Sequence, residues 1–271
     1  MNNKITHPQV SWDYTEHAAH YDKRADYSEA AIKELIDFTG CTPLKSVADI
    51  GAGTGKLTKE LLKQGLLVKS VEPNDAMRQI GIKNTTGKSV TWFAGTGEQS
   101  GLQTSSVYAA FFGSSFNVVD QAKTLAEVSR ILVPNGWFGC MWNHRDLNDS
   151  VQIQIESIIK SFIPSYSYGS RREDPTSIID SSGDFSHVKC IEQNFTWRMS
   201  KSDIVEAWKS HATLRRQAKN ENTFNEIIKD IEKYLNNFDT TIAVPYTTRI
   251  YFAQMIKEKN ALNAEHHSLT N

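Results

Sequence analysis

Two carboxylates bracket a glycine-rich turn in this chain, and their spacing defines a ligand chemistry. The run Val47-Ala48-Asp49-Ile50-Gly51-Ala52-Gly53-Thr54-Gly55 passes from an apolar strand, through Asp49, into glycines at alternate positions. A helix begins near Lys56. Glycine has no Cβ, so these positions allow a tight turn and close approach of a ligand to the backbone. Glu72 ends the next apolar run, residues 66–71, where a carboxylate accepts ribose hydroxyls in nucleotide sites. A dinucleotide turn reads G-x-G-x-x-G and points helix amides at a pyrophosphate. Here Gly55 comes one residue early and Lys56 stands in the expected position. Asp49 would repel a phosphate but suits an ammonium group. The competing readings are a glycine-rich turn with two incidental acids, and a dinucleotide site.

A second set of residues could move protons or bind anions. His144, in Trp142-Asn143-His144-Arg145-Asp146, follows the fifth predicted strand, at the sheet edge where such folds bind ligands. An imidazole there could act as a base, with Asp146 to orient it; the plainer reading is an exposed histidine with a local ion pair. His20 and Tyr14 are alternative bases, although His17 and His20 around two alanines also fit a surface helix. Arg171-Arg172 and Arg215-Arg216, with Lys209 and His211 nearby, would favour an anionic partner if they converge. The interleaved Glu173, Asp174, Glu206 and Glu221 fit a solvated mixed-charge surface instead.

The elements that must position these groups alternate. Ser28 caps a predicted helix over 29–38, stopped by Gly40. Strands are predicted at 46–50, 67–71, 90–94, 107–112 and 137–142, and helices at 56–64, 75–83 and 121–132, with a turn at Pro134-Asn135-Gly136. Such alternation gives a parallel sheet covered by helices on both faces. Beyond Asn143 the pattern predicts helices at 150–162, 201–211 and 224–238, an irregular polar segment at 164–183, and strands at 188–197 and 247–256. Residues from about 260 read as a disordered tail, and His266-His267 there as chain-end composition rather than a metal site.

Bulk properties exclude several classes. With 271 residues, 39% hydrophobic and 23% charged, the chain can bury an ample core. A net charge of −1 argues against a broad nucleic-acid or anionic-membrane surface. No apolar run reaches a membrane span, and residues 1–10 lack the apolar segment of a secretory signal. Cys41, Cys140 and Cys190 are widely spaced and indicate neither a disulfide framework nor a zinc site. The expected location is cytoplasmic.

Taken together, these motifs resemble class I S-adenosylmethionine-dependent methyltransferases of the small-molecule type. Residues 47–55 match the first motif, including Asp49, Gly51, Ala52, Gly53 and Thr54. Val71-Glu72-Pro73-Asn74 matches the second, in which Glu72 would hold the ribose, with Pro73 and Met77 beside it. Tyr21-Asp22-Lys23-Arg24, with Tyr27, is similar to the N-terminal segment that folds over the cofactor, which implies roles for Tyr21 and Arg24. Gly95-Thr96-Gly97-Glu98-Gln99 is similar to a segment that meets the adenine edge, with Thr96 where Asp is usual. Gly113-Ser114-Ser115-Phe116-Asn117 matches the segment lining the sulfonium, which assigns Gly113, Ser114 and Phe116.

The resemblance covers residues 14–145 well and the remainder loosely. It implies an α/β, Rossmann-like, seven-stranded, mostly parallel sheet with helices on both faces, plus a helical cap. The expected organisation is an N-terminal segment and helix over the cofactor (1–40), a cofactor-binding core (41–147), a cap insertion (148–184), last strands with inserted cap helices (185–259) and a tail (260–271). The implied cofactor is S-adenosyl-L-methionine, yielding S-adenosyl-L-homocysteine, with no metal. The implied activity is in-line methyl transfer to O, N or C of a small acceptor. An RNA or protein methyltransferase, or a non-catalytic S-adenosylmethionine binder, shares the same cofactor motifs. The sequence does not fix the acceptor or the oligomeric state.

Overall fold

The first strand, β1 (Ser46–Ile50), is the centre from which the sheet grows in both directions. A computed structural model describes residues 23–238 and 241–256. Ahead of β1 lies α1 (Glu29–Thr39), whose first turn is capped by the Ser28 hydroxyl and whose end is set by Gly40 at φ 64°. After β1 the chain runs through α2 (Lys56–Lys63), β2 (Leu67–Val71), α3 (Asp75–Asn84), β3 (Val90–Phe93), β4 (Val107–Gly113), α4 (Gln121–Ile131) and β5 (Leu132–Arg145). It continues with α5 (Ser150–Phe162), α6 (Thr176–Ser182), β6 (Lys189–Ser200), α7 (Lys201–Lys209), α8 (Ala212–Ala218), α9 (Glu221–Leu235) and β7 (Thr241–Gln254). The strand order is β3-β2-β1-β4-β5-β7-β6. The pairs β1–β2, β2–β3, β1–β4 and β4–β5 are parallel, and β7 alone runs against its neighbours. The expected seven-stranded, mostly parallel architecture is what the chain adopts.

Alternation along each strand sends successive side chains to opposite faces. On β1, Val47 packs with Leu35 of α1 and Leu61 of α2, whereas Ala48 and Ile50 pack with Leu125 and Val128 of α4. A third apolar cluster lies outside the sheet layers. It joins Ile155 and Ile159 of α5, Trp208 of α7, Leu214 of α8 and Ile227 and Ile231 of α9 to Ile242, Val244 and Tyr246 of β7. These helices form the cap, inserted in the chain between β5 and β6 and between β6 and β7.

Several boundaries differ from the sequence expectation for local reasons. The predicted turn at Pro134–Gly136 lies inside β5: Val107 faces Leu132 but Ala109 faces Trp137, so the extra β5 residues bulge, with Asn135 at φ 62°. The segment expected to be irregular contains a 3-10 turn (Gly169–Arg172) and α6, which ends at Gly183 at φ 68°. With only Ile179 buried, α6 carries too little apolar periodicity to be legible. The helix expected over 201–211 stops at Lys209, and His211 starts α8 by accepting from Leu214 N at 3.2 Å through its Nδ1. Among the described residues no helix is long and apolar enough to cross a membrane. The expectations for Tyr14, His20, Tyr21 and the tail lie outside the described residues.

Candidate functional site

In this strand order the chain leaves β1 outward to β2 and β3, then returns to β4 on the other side. The crevice at that switch point, beyond the carboxyl ends of the strands, is where open α/β sheets bind ligands. A cavity of about 610 Å³ occupies it, roofed by the cap. Its wall includes Asp49, Gly51, Ala52, Gly53, Glu72, Pro73, Met77, Thr96, Gly97, Glu98, Gly113 and Ser114, all named as cofactor residues by the sequence. Arg24 and His144 also line it. Thr54 and Phe116 do not; both are buried behind the wall, Asn84 donating to the Thr54 carbonyl at 3.0 Å and Phe116 packing on Phe112 and Phe138.

The glycine turn is held from two sides. Gly51 N and Ala52 N donate to the Val71 carbonyl at 2.8 and 3.0 Å, which folds the turn across the end of β2. Glu72 accepts from Gly53 N at 2.8 Å through one carboxylate oxygen and from Asn74 N at 2.9 Å through the other. Gly51 sits at φ 69°, and a Cβ there would lie 2.5 Å from Ser115 Cβ. Ser115 is fixed in that position by donating to the Ile50 carbonyl at 2.6 Å. Only glycine meets both constraints.

Electrostatically the cavity is split by the sheet order. Asp49, Glu72 and Glu98 stand on the β1–β2–β3 side, whereas Arg145, Arg171 and Arg172 stand beyond β4, at the end of β5 and in the cap. Asp49 is fully buried; its Oδ2 accepts from Thr58 Oγ1 at 2.6 Å, and its Oδ1 has no partner. Burial pushes its carboxyl up to about 7, against the opposing pull of the Thr58 hydrogen bonds. Burial also raises Glu72, opposed by its two backbone donors. The Thr96 hydroxyl accepts from Gln99 N at 3.1 Å and so caps its own turn. Glu98 accepts from Asp120 N at 2.8 Å.

His144 is half-buried, with Nε2 2.9 Å from the Arg171 carbonyl. A carbonyl only accepts, so the Nε2 proton is fixed and Nδ1 keeps its lone pair. Burial, with Arg172, Arg249 and Arg171 nearby, holds this imidazole down at about 4. Asp146 does not orient it; that side chain accepts from Asn148 N. Of the cap cations singled out in the sequence, Arg171, Arg172 and His211 reach the cavity. Arg215 instead pairs with Glu221, and Lys209 with Glu206.

Sequence reasoning passed over three residues that close the site. Lys56 Nζ binds Asp26 Oδ1 and the Arg24 carbonyl, both at 2.7 Å, and so clamps residues 24–26 over the cavity. Asn143 Nδ2 donates to the Asp26 carbonyl at 2.8 Å from the opposite wall. Arg145 lies over the Trp208 ring at 4.5 Å and donates to Tyr246 at 3.1 Å. The one available signal was Lys56 itself, standing where a dinucleotide turn keeps its last glycine. Arg24, expected at the cofactor, binds Ser210 at the end of α7 with Nε at 2.9 Å.

Residues 48–140, which span the turn and strands β1 to most of β5, match a family model described as a methyltransferase domain. Residues 48–140 thus form a methyltransferase domain. Over 113 residues it is 37% identical to an uncharacterized methyltransferase of Mycobacterium bovis, covering 42% of this chain and 46% of that protein. The chain thus spans about half the length of the curated relatives it matches. Among solved structures, a putative type II methyltransferase from Anaeromyxobacter dehalogenans aligns at TM-score 0.61 and 16% identity, covering 87% of this chain and 99% of that one. A phosphoethanolamine N-methyltransferase of Haemonchus contortus, solved with phosphomonomethylethanolamine and S-adenosylhomocysteine, aligns at 0.51 and 15% identity, covering 88% of this chain and 56% of that one. At these identities the two structures establish the shared fold of the methyltransferase domain.

Proposed function

We propose that the cavity binds S-adenosylmethionine at its acidic side and that the chain transfers the methyl group to a small molecule enclosed beneath the cap. The observation that carries this reading is the Asp49 Oδ1 atom. A fully buried carboxylate oxygen with no partner, in the wall of a ligand-sized cavity, awaits a cationic donor. The ammonium of the cofactor's methionine moiety is such a donor. Each Glu72 oxygen accepts one backbone N–H and keeps a lone pair for a ribose hydroxyl. Gly51, Ala52 and Gly53 let the nucleoside lie against the backbone, with Pro73 and Met77 as apolar neighbours and Thr96, Gly97 and Glu98 towards the adenine. Gly113 and Ser114 flank the reacting region; a Cβ at Gly113 would come within 2.9 Å of the Tyr27 hydroxyl, which bonds Ser114 Oγ at 3.0 Å.

When bound, S-adenosylmethionine supplies a methyl carbon on a sulfonium, whose departure gives S-adenosylhomocysteine. The chain's task is to hold the acceptor about 3 Å from that carbon, in line with the C–S bond, and to exclude water. The Lys56 and Asn143 clamps on residues 24–26 and the cap cluster serve enclosure. That enclosure, with a net charge of −1, favours a small acceptor over RNA or protein. Calorimetric titration with S-adenosylmethionine, S-adenosylhomocysteine, NAD and NADP tests the reading. Micromolar binding of the two sulfur nucleotides alone is expected; binding of NAD or NADP alone overturns it.

A further inference from the structure

The far side of the cavity has an imbalance that cofactor binding does not resolve. Arg145, Arg171 and Arg172 all line it, and among the described residues none of the three has a carboxylate partner. Arg172 donates to the Arg145 carbonyl at 2.6 Å and lies over the Tyr168 ring at 5.2 Å; Arg145 donates to Tyr246. Acids of the surrounding elements are engaged elsewhere. Glu156 is held by Lys160 and by the Tyr168 hydroxyl, and Glu192 by Arg249. Three half-buried guanidiniums sharing one enclosure without an anion are costly, and an anionic ligand offsets that cost.

Among the described residues the same side of the cavity offers a proton one weak acceptor, the His144 Nδ1 lone pair. His144 has its Nε2 proton fixed on the Arg171 carbonyl, and its Nδ1 is disfavoured as a base by burial and then by the surrounding arginines. His211 spends its Nδ1 lone pair on Leu214 N, inside the cap, and burial opposes its protonation. The Tyr168 hydroxyl donates to Glu156, and Tyr246 accepts from Arg145. A phenol, alcohol or ammonium acceptor must lose a proton before or during transfer, and His144 Nδ1 is a poor acceptor for it. A carboxylate is already ionised.

We propose that the acceptor is a carboxylic acid, seated with its carboxylate among Arg145, Arg171 and Arg172 and methylated on a carboxylate oxygen. This rests on the cofactor assignment above. One carboxylate lone pair forms the O–CH₃ bond as the C–S electron pair leaves with sulfur. An anion and a sulfonium become a neutral ester and a neutral thioether, and no proton is transferred. The neutral ester no longer satisfies the guanidiniums, which favours its release.

The full chain is titrated first with S-adenosylhomocysteine, then, saturated with it, with benzoate, phenylacetate and succinate against benzamide, phenylacetamide and succinamide. The acids are expected to bind at least about tenfold more tightly than their amides. Arg171→Gln, which removes a half-exposed side chain without disturbing the carbonyl that holds His144, is expected to abolish that preference while keeping S-adenosylhomocysteine affinity. Arg172→Lys, which keeps the charge, retains part of it. With tritiated S-adenosylmethionine and the tightest-binding acid, the label is expected as alkali-labile methyl released as methanol. Binding of S-adenosylhomocysteine without any preference for the acids, or an alkali-stable label, overturns this inference alone. Failure of S-adenosylhomocysteine to bind overturns the cofactor assignment and this inference with it.

Discussion

Asn in place of Asp49 should make the ligand-free protein more stable and the site worse, and the pH dependence separates this from other causes. A carboxyl that titrates near 3.8 when unfolded and about 7 when folded keeps a proton through that interval in the folded protein. Between those values the unfolded chain binds fewer protons, so the contribution of Asp49 to stability falls as pH rises and is constant above about 7. The full difference corresponds to an upper bound of about 4 kcal/mol. Relaxation of the surroundings about the buried charge offsets part of this, so roughly 2 kcal/mol is the expected gain for Asp49→Asn at pH 8. The gain should shrink steadily towards zero as pH approaches 4. Urea denaturation of both proteins at several pH values reads this difference directly, since the other titrating groups cancel. Affinity for S-adenosylhomocysteine should move the opposite way, falling by about 10–100-fold as a charged hydrogen bond to the ammonium is lost. An Asp49→Asn protein no more stable than the parent at pH 8, or one that binds S-adenosylhomocysteine equally well, would refute the assignment of Oδ1 as the ammonium partner.

Three further perturbations probe other parts of the argument. Glu72→Ala should weaken S-adenosylmethionine binding by about 1–3 kcal/mol, and by calorimetry an unchanged affinity in a folded variant removes Glu72 from the ribose site. Gly51→Ala should destabilise the protein by about 2–4 kcal/mol through its left-handed backbone and its contact with Ser115; a melting temperature equal to that of the parent contradicts the described turn. Ile231→Ala, at a fully buried site in the cap cluster, should cost about 2–5 kcal/mol with a single unfolding transition, whereas a loss under 1 kcal/mol means the cap core is looser than described.

The glycine-turn side of the site was legible because its chemistry is local. A turn that must fit beneath a ligand demands glycine at fixed positions, and a carboxylate must follow the second strand at a fixed distance. Asp49, Gly51, Gly53 and Glu72 therefore declared themselves by type and spacing. The β1–β5 framework was equally readable, since alternating periodicities and the cap at Ser28 are short-range signals. Even there the sequence was silent on what Glu72 does in the folded chain, where it braces the turn through Gly53 N. That bond joins residues from different strand ends and depends on the β1–β2 pairing.

The arginine side of the cavity was not legible, for the corresponding reason. Arg145 and Arg171-Arg172 come from the end of β5 and from a 3-10 turn in the cap, while Arg215, equally suggestive in the sequence, turns away to Glu221. Which cations converge depends on how the cap helices pack over the sheet, a matter of many weak apolar contacts with no motif of their own. The histidine that the sequence offered as a base is likewise redefined by its surroundings: burial and three arginines hold His144 at about 4. By itself the sequence determined the sheet, the turn and the carboxylates that flank it, because these follow from backbone conformation and nearest-neighbour spacing. Only the tertiary structure decided which charges face the far side of the cavity, because long-range packing sets both their positions and the dielectric in which they act.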